Sequence, residues 1–247
     1  MLNLLTDPLI SVVDREGNTR QCSLPEIYGL MASDSVSSFP HLRAHQAPAW
    51  HALLVQLGFL ACETADLTVP PKSPEHWLRL LRTLTPDWPH DEPWSLIAEN
   101  DGIPTFLQAP QLPGSPPLKN RIDYPDQLDI LVTSKNHDLK QALARAGTPE
   151  DWLFALVSLQ TQEGFLGAGN YGCARMNGGF GSRSYLTIAP SGAGFGARVF
   201  RDLRRLLKDS ADFYAIADFL GGRKGTALLW LLPWDGNTSL DLASLPP

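Results

Sequence analysis

A glycine-rich block at residues 164–183, GFLGAGNYGCARMNGGFGSR, holds the residue types best suited to binding a ligand. Glycine has no Cβ, so its backbone amide can approach a polyanion closely or enter a narrow groove. Amide side chains can read base edges, arginines suit phosphates, and aromatic rings stack on bases. The groups of these kinds are Asn170, Asn177, Arg175, Arg183, Phe165, Tyr171 and Phe180, with Gln160 just before the block. The block therefore predicts a nucleic-acid contact, with a plain glycine-rich lid or turn, or a site for another ligand, as alternatives.

Charge is distributed unevenly around this block. The chain has a formal net charge of −6, which by itself argues against a nucleic-acid-binding protein. However, no Asp or Glu occurs in the 38 residues between Glu163 and Asp202. The cations in that window are Arg175, Arg183, Arg198 and Arg201. An acid-free basic window in an acidic chain indicates a local surface for an anionic partner.

The run Gly167–Gly172 matches the G-x-G-x-x-G fingerprint of dinucleotide-binding proteins, but its context does not fit. The fingerprint should follow a strand and open a helix, with an acidic residue about 20 positions later. Here a predicted helix precedes the run, and the next acidic residue is Asp202. We therefore expect no dinucleotide cofactor.

Other catalytic and metal-binding patterns are equally weak. The sequence has no Gly-x-Ser-x-Gly elbow and no Walker motif, and Cys173 has no base close to it in the sequence. His41 and His45 have the i, i+4 spacing of metal ligands, but no suitable third ligand follows. We expect a protein that is not an enzyme, with no catalytic residue, metal or cofactor.

Length and composition suit a folded domain. The chain has 247 residues, of which 43% are hydrophobic and 19% charged, so it is neither a disordered chain nor a membrane protein. The longest mostly apolar stretch, 50–62, is too short to span a bilayer as a helix. The N-terminus lacks the basic start of a signal peptide, and three scattered cysteines make no disulfide framework. We therefore expect the cytoplasm.

The predicted elements form a mixed α+β fold in one domain, 1–247. Apolar patterning and capping residues indicate a hairpin over 1–24, helices at 48–64, 75–84, 148–162 and 198–208, a short helix capped by Ser23, and a buried strand at 226–232. Residues 70–117 hold 11 of the 21 prolines together with three tryptophans. Proline excludes long regular elements there, while the tryptophans predict that the segment packs on the core.

The helix predicted for 198–208 has two different faces. One face is apolar, with Val199, Leu203, Leu206 and Leu207. The other face carries Arg198, Arg201, Arg205 and Lys208 at 3-4-3 spacing. A basic helix face is usually only solvated, but this one borders the acid-free window. The four cations, together with Gln160, are therefore candidate contacts to a phosphate backbone.

The block and its surroundings resemble CasA, the large subunit of the type I-E CRISPR surveillance complex, Cascade. The specific part of the resemblance is LVSLQT at 156–161, followed by GFLGAGNYG and then ARMNGGFGSR. Supporting segments are NLLTDP at 3–8, LVTSKNHD at 131–138, LLW at 228–230 and PWDG at 233–236. The similarity therefore runs, in patches, over most of the chain.

The resemblance implies a non-catalytic subunit that reads the protospacer-adjacent motif of double-stranded DNA, largely from the minor groove, through a glycine-rich loop. Reading the motif promotes duplex opening and R-loop formation in antiviral defence, while base pairing with the guide reads the sequence. The implied loop residues are Gly164, Phe165, Gly167, Gly169, Asn170, Arg175, Asn177, Gly178, Gly179 and Arg183. The implied second loop, facing DNA or guide RNA, contains Lys135, Asn136 and His137.

The same resemblance implies the partners and the extent of the domain. The partners are the 5′ handle of the guide RNA, double-stranded target DNA, other Cascade subunits and the helicase-nuclease, with no membrane. The fold would be that of the large subunit's N-terminal domain, with segment 70–117 packed on it and the glycine loop at 164–183. The family's C-terminal helical bundle, lysine finger and duplex-splitting wedge have no matching residues here. We therefore expect an N-terminal portion or a compact variant of the subunit. The alternatives are an enzyme that binds a phosphorylated small molecule or nucleotide at the glycine-rich loop, and a purely architectural subunit that binds guide RNA.

Overall fold

An antiparallel hairpin opens the fold. The structure, a computed structural model, describes residues 2–111, 113–114, 122–128, 147–163, 193–211 and 228–233. Strand β1 (Ile10–Val13) pairs antiparallel with strand β2 (Thr19–Cys22). The Asp14 carboxylate accepts hydrogen bonds from the backbone N–H groups of Glu16 and Asn18, both at 2.9 Å, and so closes the turn. The predicted hairpin is confirmed.

Helix α1 (Leu24–Ala32) begins directly after the hairpin, at the position that Ser23 predicts. The Glu26 carboxylate accepts hydrogen bonds from the Ser23 backbone N–H at 2.7 Å and from its hydroxyl at 2.9 Å. These bonds satisfy groups that a helix start otherwise leaves unpaired. The helix buries one apolar face that includes Ile27, Tyr28 and Met31.

Helix α2 (Ala47–Thr64) lies at the centre of the described fold. Helices α3 (Pro74–Thr83), α4 (Pro149–Ser158) and α5 (Phe195–Lys208) all pack against it. Its buried residues surround most of its axis, as predicted, because it has neighbours on several sides. The hydroxyl of Tyr28 on α1 donates a hydrogen bond of 2.6 Å to the Leu54 carbonyl of α2. The four sequence-predicted helices match these bounds to within a few residues.

The proline-rich segment is attached to the core through two tryptophans. Trp77 and Trp94 are fully buried. The Trp77 ring stacks on that of Tyr28 in α1 at 4.2 Å. The indole N–H groups of the two tryptophans are satisfied within the segment, by the Pro71 carbonyl at 2.9 Å for Trp77 and by the Thr85 hydroxyl at 3.0 Å for Trp94. Trp88 is only half-buried. Apart from α3, the described part of the segment contains the short 3-10 turn Glu92–Trp94, in keeping with its proline content.

The strand predicted at 226–232 is wrong for the residues that the structure describes. Leu229–Leu231 form a 3-10 turn, with Leu228 and Trp230 buried. The Trp230 indole N–H donates to the Pro93 carbonyl at 3.2 Å, and its ring meets that of Phe106 edge-on at 5.4 Å. A short apolar run satisfies a strand or a buried turn equally well, so its pattern could not decide between them.

The described elements form a mixed α+β arrangement, in which helices pack together beside the two-stranded sheet. This is the predicted fold class. None of the helices in the described ranges is long and apolar enough to cross a membrane.

Candidate nucleic-acid interface

Most of the predicted ligand-contacting residues lie outside the described residues. These are the glycine-loop residues Gly164, Phe165, Gly167, Gly169, Asn170, Arg175, Asn177, Gly178, Gly179 and Arg183, and the second-loop residues Lys135, Asn136 and His137. The described candidates are Gln160, Arg198, Arg201, Arg205 and Lys208. They belong to the two helical segments that border the glycine block in sequence.

The segment that enters the block starts at a well-formed cap. The Asp151 backbone N–H donates to the Thr148 hydroxyl at 3.3 Å, and the Asp151 carboxylate accepts from the Thr148 backbone N–H at 2.8 Å. Pro149 occupies the first helical position, where a missing N–H costs nothing. After Ser158 the helix continues as a π-helical turn, Leu159–Glu163, to the edge of the block. The predicted helix start and the end near 162 are therefore confirmed.

Glu150 ties α4 to the hairpin. Its carboxylate accepts hydrogen bonds from the Ser11 backbone N–H at 2.8 Å and from the Ser11 hydroxyl at 2.9 Å. The side chain is buried, and this burial raises the pKa of Glu150, against the opposing effect of the two bonds from Ser11. Sequence reasoning explained Glu150 only as a charge at a helix start, because nothing in the sequence links it to Ser11.

Gln160 belongs to the interior rather than to an exposed contact face. Its side chain is buried, and its amide N–H donates to the Leu107 carbonyl at 2.9 Å. That bond holds the turn around residue 107 against the end of α4, because a buried carbonyl needs a partner. In this structure the Gln160 amide N–H therefore serves the fold and does not face an external phosphate.

The helix that leaves the block is capped by backbone groups alone. The N–H of Phe195 donates to the Ser37 carbonyl, and that of Gly196 donates to the Val36 carbonyl, both at 3.2 Å. A Cβ on Gly194 would lie 3.0 Å from the Val36 carbonyl oxygen. Glycine at the N-cap therefore suits the close approach of the loop at 36–37, because a Cβ there would crowd the Val36 carbonyl oxygen.

Both bordering helices are fixed to α2 by apolar side chains. Phe154 of α4 meets Trp50 of α2 edge-on at 5.3 Å. Leu203 of α5 is fully buried and packs so closely on Gly58 of α2 that a Cβ there would lie 3.1 Å from it. One rigid helix therefore supports the two ends of the chain that carries the glycine block.

The outer face of α5 is basic, as its sequence predicts. Arg201, Arg205 and Lys208 are exposed, whereas Arg198 is half-buried with its guanidinium carbon 5.5 Å from the centre of the Phe195 ring. Val199 and Leu207 lie on the buried side, and Leu206 is partly buried. The side chains that point outward are in a position to meet an anionic partner.

Arg204 is a fifth cation of this surface, and sequence reasoning missed it. It is exposed, and its guanidinium carbon lies 5.5 Å from the centre of the Phe200 ring. Its spacing of three from Arg201 and four from Lys208 is the signal that could have found it. Within the described ranges no ion pair involves Arg204 or Lys208, whereas Arg201 pairs with Asp202 and Arg205 with Asp209.

A histidine on α2 also faces this surface. The Nε2 atom of His51 lies 3.2 Å from the Asp202 carboxylate. Burial lowers the pKa of His51 below its usual 6.5, although Asp202 opposes the shift, so the ring is uncharged at neutral pH. Nothing in the sequence links His51 to Asp202, because α2 and α5 are far apart along the chain.

Neither a metal centre nor a reactive thiol is found in the described part of the chain. No three His, Cys, Asp or Glu side chains there are placed to share an ion. Cys22 and Cys62 are buried thiols, and burial raises the pKa of Cys62 to about 12. A thiol with so high a pKa is a poor nucleophile at neutral pH.

Comparison of the chain with protein-family models, with curated proteins and with solved structures finds no match.

Proposed function

We propose that the chain is the non-catalytic large subunit of a type I-E-like CRISPR surveillance complex, which recognises the protospacer-adjacent motif of double-stranded DNA. In this proposal it acts in the cytoplasm, uses no cofactor, and contacts the guide RNA handle, the target DNA and the other Cascade subunits. Recruitment of the helicase-nuclease is part of the same proposal. Motif reading then promotes duplex opening and R-loop formation.

The observation that carries the proposal is the glycine-rich, acid-free block at 164–183, whose sequence resembles the CasA loop. The minor groove is narrow, so a backbone segment without side chains suits it better than a segment with bulky ones. The arginines of the same window suit the adjacent phosphates. The two helices that border the block are both anchored on α2, which supplies the fixed support that a reading loop needs.

Salt dependence of DNA binding tests the contribution of the acid-free window. If its four arginines each neutralise one phosphate, log K should fall with log salt with a slope of about −3.6. A fourfold rise in salt would then weaken binding roughly a hundredfold. The double variant Arg198→Gln/Arg201→Gln should reduce the slope by about 1.8. The charge-matched control, Arg20→Gln/Arg79→Gln, changes exposed arginines elsewhere and should leave the slope as it was.

A bulky side chain introduced into the glycine loop tests motif reading separately from the effect of charge. Gly167→Leu should reduce the preference for the correct motif with little loss of stability, because it blocks close approach without removing a cation. Gly102→Leu, in an exposed turn, is the matched control. An unchanged motif preference in Gly167→Leu would exclude the loop as the reader. A thermal shift with free nucleotides would instead favour an enzyme that binds a phosphorylated small molecule.

A further inference from the structure

An open groove separates the outer faces of α2 and α5. Its volume is about 390 Å³. Small-molecule sites have volumes of about 300–1,000 Å³. The volume of the groove therefore suits one small group.

The groove has an apolar floor and a rim of planar polar groups. Ala52, Val55 and Leu206 form the floor. The rim carries the His51 imidazole, the Gln56 amide and the Arg205 guanidinium. Nucleic-acid bases that are out of the helical stack rest on aromatic rings, histidine included, and on guanidinium planes, while amides reach their edges. An apolar floor bordered by these three groups has the chemistry to accept one base.

The charges around the groove favour a phosphate beside that base. Asp202 is the acid of the groove, and its carboxylate is already paired with Arg201 at 2.6 Å and lies 3.2 Å from Nε2 of His51. Arg205 is 73% exposed and pairs with Asp209 one turn away. An exposed pair of this kind contributes little stability, so a phosphate can replace the carboxylate. Arg204 and Lys208 add exposed positive charge on the same helix.

His51 supplies a ring rather than a charge. Burial lowers its pKa, with Arg198 and Arg201 lowering it further and Asp202 raising it, so the imidazole is neutral at neutral pH. Its ring meets Phe195 edge-on at 5.9 Å and is partly exposed, with 24% of the side chain accessible. A fixed, neutral, partly exposed ring can stack on a base without a salt-dependent contribution.

We propose that the groove between α2 and α5 holds one unstacked nucleotide of a single-stranded nucleic acid, with its base over the Ala52–Val55–Leu206 floor and its phosphate beside Arg205. The proposal deepens the proposed function and rests on it, because it names a second nucleic-acid contact separate from the glycine block. An acidic peptide is the rival occupant. It would use the cations but would gain nothing from a base-sized floor.

The test compares two ligands that differ only in their bases. The full chain is titrated with a short fluorescein-labelled polyuridine RNA and with an abasic ribose-phosphate oligomer of the same length. Wild-type protein should bind the RNA about tenfold more tightly, which is the order expected for one stacked base. Equal affinities for the two oligomers would overturn the proposal. Displacement of both oligomers by polyglutamate at equal affinity would identify the rival.

Two variants of His51 separate stacking on a base from the contact between His51 and Asp202. His51→Ala should remove the tenfold preference for the base-bearing oligomer. His51→Phe keeps a flat ring but cannot pair with Asp202, so it should retain the preference. If both variants lose the preference, the contact of His51 with Asp202 rather than the ring is what matters, and the stacking assignment falls. Gln56→Leu, at an exposed position, is the second probe if His51→Ala does not fold; it should reduce the preference several-fold.

The phosphate contact has its own variant and control. Arg205→Gln should weaken binding of both oligomers and reduce the salt slope by about 0.7, the value for one phosphate on a single strand. Arg79→Gln, on the exposed side of α3, removes the same charge elsewhere and should change neither.

Failure of the nucleotide site is distinguishable from failure of the proposed function. Motif preference in the assembled complex depends on the glycine block, whereas the base preference of the isolated chain depends on the groove. If the complex keeps its motif preference but the isolated chain shows no base preference, only the proposed nucleotide site is overturned.

Discussion

Helices α4 and α5 border the same glycine block, yet they are built on opposite plans. α4 begins at a side-chain cap and carries Glu150 and Asp151 in its first turn. α5 begins at a bare glycine, has no acid in its first turn, and carries Arg205 and Lys208 in its last. Acids near a helix start and cations near a helix end both interact favourably with the helix dipole and so stabilise the helix. The polar ends of both helices are therefore explained in part without any ligand.

The difference between the two helices lies in the charges that the dipole does not explain. Arg198 lies at the end of the first turn of α5, where a cation is unfavourable. Its contact with the Phe195 ring offsets part of that cost. Arg201 and Arg204 lie in the middle of the helix, outside the reach of either end. Both helices are therefore anchors, but α5 also presents cations outward that its own dipole does not explain, and these are the cations that the proposed nucleic-acid contact uses.

The largest predicted effect is the loss of stability when a buried side chain is removed from α4 or from α5. Similar losses would show that both helices are held equally strongly against α2. Phe154→Ala on α4 and Leu203→Ala on α5 each remove a buried side chain, and each should lower the free energy of unfolding by about 3–4 kcal/mol. Urea denaturation with an unchanged m-value measures the loss. Leu206→Ala, at a partly buried position, is the milder control. A loss below about 1 kcal/mol at either site would show that the side chain there does not fix its helix to the core.

The hydrogen bonds between Glu150 and Ser11 should contribute measurably to the stability with which α4 is held against the hairpin. Glu150→Ala leaves the buried donors of Ser11 without a partner and should cost about 1–3 kcal/mol. Glu150→Gln keeps the shape and an acceptor for the backbone N–H, so its cost should be much smaller. The folded-state pKa of Glu150 is raised above 4.5. Its ionisation therefore costs stability as the pH rises through that raised value.

Unfolding measured against pH distinguishes these two effects. The stability difference between wild type and Glu150→Gln should move in favour of the glutamine variant as the pH rises above 4.5. A difference that is constant with pH would contradict the burial of an ionising carboxyl group at this position.

The N-cap of α4 should follow the usual residue preferences for this position, whereas the N-cap of α5 should go against them. Thr148→Ala removes a cap of α4 and should cost about 1 kcal/mol. Gly194→Ser introduces a preferred N-cap residue on α5, yet its Cβ would crowd the Val36 carbonyl. We expect that variant to lose about 1 kcal/mol as well. A gain in melting temperature for Gly194→Ser would show that the loop at 36–37 yields easily.

The smallest stability effect belongs to the outer face of α5. Arg204→Gln removes an exposed cation without an ion pair among the described residues and should change the free energy of unfolding by less than about 0.5 kcal/mol. It should nonetheless weaken nucleic-acid binding and reduce the slope of log K against log salt. Lys72→Gln, exposed in the loop before α3, is the control that should alter neither.

Local signals in the sequence predicted most of the described elements. The Ser23–Glu26 and Thr148–Asp151 pairs marked two helix starts, and the apolar residues around α2 marked its central position. The strand predicted at 226–232 is wrong for residues 228–232, because their burial depends on Trp230 packing against Phe106 rather than on their own pattern.

The candidate site was predictable only where its residues share one element. The basic face of α5 follows from helical spacing, although Arg204 was overlooked. The pairs Glu150–Ser11 and His51–Asp202 join distant parts of the chain. Such pairs depend on tertiary packing, which one sequence does not specify. The burial of Gln160 has the same cause, since its partner is the carbonyl of Leu107.

The most direct test of the central claim is DNA binding by a reconstituted complex. Guide RNA and the other Cascade subunits are assembled with and without this chain, and binding is measured on two duplexes. The duplexes share one protospacer and differ only in the flank, correct in one and scrambled in the other. We expect the chain to add tight binding only to the duplex with the correct flank. Equal binding to both duplexes after the chain has joined the complex would contradict motif reading.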